Sequence, residues 1–337
     1  VISVIVCHNQ GTLVYEACKS LFESVLLHPI EIIVVTSLYL HHPIIEELKR
    51  QDRATKIIQY PGPPAGKRNY ALKFARGNLI AFFDDDIEAT EGSIRELYKL
   101  FDNPKIGMVF GKLRNMEFRN RFDEAGGFLT WTGFIWARSH GSIKDEGQFD
   151  KPEPIFAGKS AACMIRRDVF DKVGRFDEDF GILGEESDLA WRVWLSGFQV
   201  WWCPASLTFH AFNTRFKPKD FYTHERVYFN GCRNYIAMLV KNLELWNLIR
   251  ILPFHLMAWL LASAGMICSG KLQAGFHILR GLAYTVCNFS VLMRKREKIQ
   301  EWRARPEREL IPLIFRKVSY SYYLQRMLRY FKVGLHG

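Results

Sequence analysis

Three consecutive carboxylates, Asp84, Asp85 and Asp86, close the apolar run Leu79-Ile80-Ala81-Phe82-Phe83. Adjacent acids repel one another and need a positive partner. A divalent cation held by oxygen ligands and shared with a diphosphate supplies one; a solvated acidic turn that caps a helix is the alternative. A second acidic group, Glu185, Glu186 and Asp188, opens a helical pattern that Gly197 stops. The macrodipole favours acids in a first helical turn. Glu186 is therefore expected to stay ionised, as a proton acceptor must be, while Asp188 either supports the helix or meets a substrate.

The elements that must position these groups read as alternating strands and helices. Val1 to Asn9 is an opening strand ending in Cys7-His8-Asn9, and Glu31 to Ser37 is a second strand containing Thr36. Gly66-Lys67-Arg68-Asn69 opens a helix that runs through Ala75 and stops at Gly77, just before the acidic strand. Such alternation predicts a parallel sheet, and open sheets of this kind bind ligands outside the carboxyl ends of their strands. A basic, glycine-bearing helix start suits an anion. Farther on come Gly158-Lys159-Ser160, Gly174-Arg175-Phe176-Asp177-Glu178, and a short strand pattern, Leu207 to Phe209, ending at His210.

Taken in order, these motifs resemble a family 2 inverting glycosyltransferase of the membrane-associated type with the GT-A fold, over about the first 215 residues. The resemblance implies a Rossmann-like, mostly parallel sheet flanked by helices. It places Asp84 near the donor ribose and Asp86 on Mg²⁺ or Mn²⁺ at the donor diphosphate, with His210 completing the metal site or touching the diphosphate. Glu186 falls where the family usually has an aspartate base, with Glu185 and Asp188 as supporting acids. Cys7, His8, Asn9, Thr36, Gly66, Lys67, Arg68, Asn69 and Asp85 are implied to bind the nucleotide sugar. One departure is Val35-Thr36-Ser37, where many members carry an aspartate that reads the base; a UDP or dTDP sugar is the default donor. The Gln-x-x-Arg-Trp signature of processive synthases is absent, which implies transfer of one sugar at a time. A non-catalytic nucleotide-sugar-binding scaffold and, more distantly, a sugar nucleotidyltransferase are the alternatives.

The segment 115–154 reads as less regular. It holds Trp131 and Trp136 beside Gly126 and Gly127, placed either to stack on acceptor sugars or to pack in the core. With 337 residues, 48% of them apolar, the chain can bury one large domain plus an appendage. Seven cysteines are scattered without paired short spacing, against a disulfide framework or zinc site and in favour of a reducing compartment. Val1 already reads as strand, so a native start and a targeting segment can lie upstream.

After about residue 215 the character changes. The organisation expected is a catalytic domain over 1–215, an amphipathic connecting helix over 216–247 carrying Arg226, Arg233 and Lys241, an apolar helical hairpin over 248–293, and a basic tail over 294–337. Ile251 to Ser269 contains no charged residue and approaches the length of a membrane span. Leu272 to Met293 holds Arg280, which costs about 2.5–3.5 kcal/mol at a bilayer centre. From Arg294 to Lys332 there are 12 Lys or Arg against 4 Glu, which gives this tail +8 of the formal +11. Anionic lipid attracts such residues; nucleic acid would too, but no recognition motif accompanies them. The hairpin either spans the membrane or lies in its interface, Pro253, His255 and Arg280 favouring the interface; a soluble hairpin packed on the catalytic domain is the third possibility. A place at the cytoplasmic face of the cell membrane, and a glycan or polyprenyl-linked acceptor, follow from the membrane readings.

Overall fold

A computed structural model describes residues 1–24, 29–52, 54–139, 143–211, 225–319 and 321–323. The expected 215/216 boundary, the start of the connecting helix and the end of the basic tail lie outside these residues. The side chain of Arg226 is likewise outside them.

The amino-terminal half alternates strand and helix: β1 (Ile2–His8), α1 (Val14–Glu23), β2 (Ile30–Thr36), α2 (Pro43–Arg50), β3 (Lys56–Gln59), α3 (Pro64–Ala71) and β4 (Leu79–Asp84), of which the sequence pattern predicts β1, β2, α3 and β4 but not β3. There follow β5 (Ile87–Ala89), α4 (Ser93–Lys99), β6 (Ile106–Asn115), β7 (Phe122–Glu124), β8 (Gly127–Leu129), β9 (Ile135–Ala137), β10 (Glu153–Pro154), β11 (Ala162–Arg166), α5 (Arg167–Val173), α6 (Glu185–Leu195) and β12 (Gln199–His210). Along the main sheet the order is β3-β2-β1-β4-β11-β6-β12-β10. The first four run parallel, β11 is antiparallel to both its neighbours, and β12 runs parallel to β6. The expected mostly parallel α/β sheet is present.

Every residue of β1 is buried, because helices cover both faces of the sheet. Ile5, Ile33 and Phe82 point into one core, while Val4, Val34 and Phe83 point into the other, as the alternation of a strand requires. The parallel strands end together at His8, Thr36 and Asp84. On the far side, β5 pairs with the end of β12 so that Ile87 lies opposite His210. That register brings His210 beside the acidic turn.

Helix boundaries differ from the pattern in two places. α3 runs from Pro64 to Ala71 rather than from Gly66 to Ala75, and the apolar arm expected from Leu272 to Met293 breaks at Asn288, the carboxy-terminal helices being α7 (Gly231–Asn242), α8 (Leu245–Cys268), α9 (Leu272–Cys287), α10 (Phe289–Glu301) and α11 (Glu307–Ile314). The start of the basic tail is thus helical, because Phe289, Leu292 and Ile299 give α10 an apolar stripe of which Leu292 and Ile299 are buried. Lys241, expected on the polar face of an amphipathic helix, is buried. Its Nζ lies 2.6 Å from Asp177 and 2.9 Å from Asp188, which ties α7 to α6.

Candidate active site

Asp84 ends β4, Asp86 follows in the turn, and His210 ends β12; one ligand atom from each lies within 4.8 Å of the others. His210 Nε2 is 3.2 Å from Asp86 Oδ1 and 3.8 Å from Asp84 Oδ2. On the other side of the ring, Nδ1 is 2.8 Å from Asp123 Oδ2. Asp123 also accepts from Lys159 Nζ at 2.8 Å. Burial disfavours the imidazolium, yet Asp86 and Asp123 outweigh it and hold the His210 pKa up at about 9. Burial also opposes the Asp123 carboxylate, but Lys159 and His210 hold its pKa well below the usual range. Because Asp123 accepts the Nδ1 proton, loss of the second proton bares Nε2 toward Asp84 and Asp86. Two carboxylates and one imidazole form a donor set that suits a divalent metal.

Arg68 reaches the cluster from α3. Its Nη1 donates to Glu185 Oε1 at 2.7 Å and its Nη2 lies 3.5 Å from Asp84 Oδ1. It therefore joins the acidic turn to the start of α6, and it is buried in doing so. The approach to α6 is unusual: Leu183 and Gly184 both have positive φ, 74° and 88°, a region costly for leucine and easy for glycine. Asn234 of α7 holds this turn by donating to the carbonyls of Phe180, Ile182 and Leu183. The result is that Glu186 sits half-buried in the first turn of α6. The expectation that the helix start keeps it readily ionised is corrected: burial, and then the neighbouring Glu185 carboxylate, raise its pKa well above the usual carboxylate range.

Other expected site residues divide between the acidic cluster and the scaffold. Asp188 is fully buried, with Arg192 Nε at 3.0 Å and Asn242 Nδ2 at 2.9 Å besides Lys241; it supports α6 and meets no open space. Asn69, implied for the nucleotide, has its amide committed to Phe176 and Glu178. Lys67 Nζ donates to the His8 carbonyl and to Asn9 Oδ1, so its charge is spent on the end of β1. Gly66 lies beside it in α3, against the Tyr60 ring. Asp85 accepts the Asn9 N–H at 2.9 Å; burial and Asp86 push its carboxyl up to about 7.

His8 and Thr36 face each other across β1 and β2. His8 Nε2 lies 3.0 Å from the Gly11 carbonyl, which only accepts, so that nitrogen carries the proton. The Thr36 hydroxyl, 2.8 Å from Nδ1, therefore donates to it. Burial lowers the His8 pKa to about 4 and keeps the ring neutral. Cys7, one residue earlier, is buried, and burial pushes its thiol up to about 11.

Sequence reasoning missed Asp123, Asn234 and the pairing of Lys241, and gave Lys159 no role. Lys159 stood in the quoted Gly-Lys-Ser motif; nothing local marked the others. Trp131 and Trp136 resolve toward packing, with ring centroids 4.9 Å from Phe315 and 6.1 Å from Phe128.

A family model described as glycosyl transferase family 2 matches residues 3–174. Over 138 residues the chain is 31% identical to the O-antigen biosynthesis protein RfbC of Myxococcus xanthus, covering 39% of this chain and 11% of that protein. Over 217 residues it is 26% identical to the pre-mycofactocin glycosyltransferase of Mycobacterium tuberculosis, covering 62% of this chain and 42% of the relative. The chain thus spans less than half the length of these curated relatives. Among solved structures, GalNAc-T7 crystallised with UDP, GalNAc and Mn²⁺ superposes with a TM-score of 0.53 at 15% identity, over 85% of this chain and 57% of that one. At that identity the likeness is one of fold, the GT-A arrangement of a mostly parallel sheet flanked by helices.

Proposed function

The chain belongs to glycosyl transferase family 2, and on that footing we propose that it moves a single hexosyl or deoxyhexosyl unit, with inversion, from a nucleoside-diphosphate sugar to a hydroxyl of a glycan or polyprenyl-linked acceptor. The observation that carries this reading is the convergence of Asp84, Asp86 and His210, with Arg68 joining Asp84 to Glu185, the residue before Glu186 at the start of α6.

Asp84, Asp86 and His210 are the residues to hold a divalent metal, Mn²⁺ in preference to Mg²⁺ because hard Mg²⁺ favours an all-oxygen set. Such an ion supplies charge neutralisation for the departing diphosphate. Asp123 holds the His210 ring in the orientation that leaves Nε2 facing the two aspartates. Arg68 keeps Asp84 and Glu185 paired, so that three neighbouring acids do not repel the loop apart. Glu186 takes the proton from the incoming hydroxyl; its raised pKa makes it a stronger base once deprotonated. With the base on the face opposite the leaving group, displacement inverts the anomeric carbon. No second acid is needed, since a diphosphate departs without being protonated.

A thermal-shift panel of nucleoside diphosphates and their sugars, with Mn²⁺ or with chelator, tests the donor site on the native chain and on Asp86→Asn. A Mn²⁺-dependent rise in Tm for one nucleotide, absent in the variant, is expected. An equal rise in chelator would overturn the metal assignment. Donor binding without turnover in the native chain would favour the non-catalytic scaffold.

A further inference from the structure

α8 is long and apolar enough to cross a bilayer by length and composition, with a mean hydropathy of 1.8 in its most apolar stretch. Its contacts give it a different role. Asn247, His255, Trp259 and Ser263 form a buried stripe at helical spacing, and that stripe is bonded to the rest of the protein. Trp259 Nε1 donates to His255 Nε2 at 2.9 Å, so Nδ1 carries the ring proton and donates to the Thr132 carbonyl at 2.9 Å. Asn247 donates to Glu307 of α11. A helix crossing the bilayer would have to give up these bonds or draw the β8–β9 turn and α11 into hydrocarbon.

The opposite stripe is apolar and open. Trp246, Phe254 and Leu261 of α8 are 69%, 70% and 61% exposed, and Phe276 and Val286 of α9 are 55% and 75% exposed. The two helices are held together closely: Ser263 Oγ donates to the Gly275 carbonyl at 2.9 Å, and a Cβ at Gly275 would lie 2.5 Å from Ile267. From Leu245 to Arg296 there is no Asp or Glu. Arg250, Arg280 and Arg294 in this stretch are exposed, and Lys271 is half-buried between the helices. Exposed apolar side chains whose charged neighbours along this stretch are all cations complement an anionic lipid surface. A second copy would bring the same cations face to face.

We infer that the exposed stripes of α8 and α9 dock in the interface of an anionic bilayer, such as the cytoplasmic leaflet of a cell membrane, without crossing it. The buried stripe, bonded through His255 to Thr132 in the turn between β8 and β9, is then on the side of α8 away from the bilayer. This inference rests on the two helices and not on the donor reading, so vesicle binding and sugar transfer can fail independently.

Flotation of the full chain with phosphatidylcholine vesicles, with and without phosphatidylglycerol, tests it. Binding is expected to be about tenfold or more stronger on the anionic vesicles, to weaken with salt, and to be reversed by alkaline carbonate. Phe254→Glu, Leu261→Glu and Phe276→Glu together should abolish flotation while the Tm stays unchanged. Should that variant fail to fold, Arg250→Glu with Arg280→Glu should remove the preference for anionic vesicles. Absence of binding, or binding equal in both variants and the native chain, would overturn the inference. Resistance to carbonate would replace docking by spanning. Dimers abolished by the same triple change, without vesicle binding, would give the face to a second copy, and retention only by an acidic protein would give it to that partner.

Discussion

Asp123 Oδ2 stands 2.8 Å from His210 Nδ1, on the side of the ring opposite Asp84 and Asp86. The pair spans 87 residues of sequence and decides which nitrogen of His210 faces the candidate metal site.

Asp123→Asn keeps the size of the side chain but removes the charge that favours an Nδ1 proton. Mn²⁺ affinity, followed by electron paramagnetic resonance with a nucleoside diphosphate present, should fall about 10–100-fold. His210→Ala should fall at least as far and lose any preference for Mn²⁺ over Mg²⁺. An unchanged affinity in Asp123→Asn would mean that the ring is held by other contacts.

Glu186→Gln should lower kcat by about 10²–10⁴-fold and leave metal-dependent nucleotide binding intact. Retained transfer would move the base to another residue.

A base with a raised pKa is protonated, and inactive, below it. kcat/KM should therefore climb with pH along an acid limb lying above the ordinary glutamate value of about 4.3. Glu185→Gln removes the adjacent negative charge that contributes to the shift, so the limb should move to lower pH. A limb that stays in place would leave burial as the whole cause.

Lys241 is almost fully buried between Asp177 and Asp188. Its replacement by methionine removes one cation from a buried cluster in which Asp188 keeps Arg192 and Asp177 keeps Lys295, and should destabilise the protein by about 1–3 kcal/mol. Chemical denaturation should show a lower midpoint, since the lost charge-assisted bonds to two buried carboxylates outweigh the apolar contacts that methionine retains.

The elements that carry the site, β1, β2, α3, β4, α6 and the end of β12, were legible because strand and helix leave different periods of burial along the chain, whereas β3 and β5 to β10 were not. β1, β2 and β4 are mostly apolar runs, and the polar residues His8, Thr36 and Asp84 mark their carboxyl ends. The acidic turn, the first turn of α6 and the end of β12 were legible for the same reason. Local composition also revealed that α8 and α9 are apolar.

What only the tertiary structure decided is where each charge finds its partner and which face of each helix is covered. Arg68 and Lys67 share a basic motif that sequence alone directs toward phosphate, yet packing turns one to Glu185 and the other to the end of β1. Asp123 meets His210, and Lys241 meets Asp188, only because β7 and α7 arrive from distant parts of the chain. The buried stripe of α8 is set by Thr132 and Glu307, neither of which is near it in sequence. Periodicity reports how often a chain must hide apolar surface, and that is a local property; an ionic or hydrogen-bonded pairing depends on which segments the fold brings within a few ångströms, and no window of sequence contains both partners.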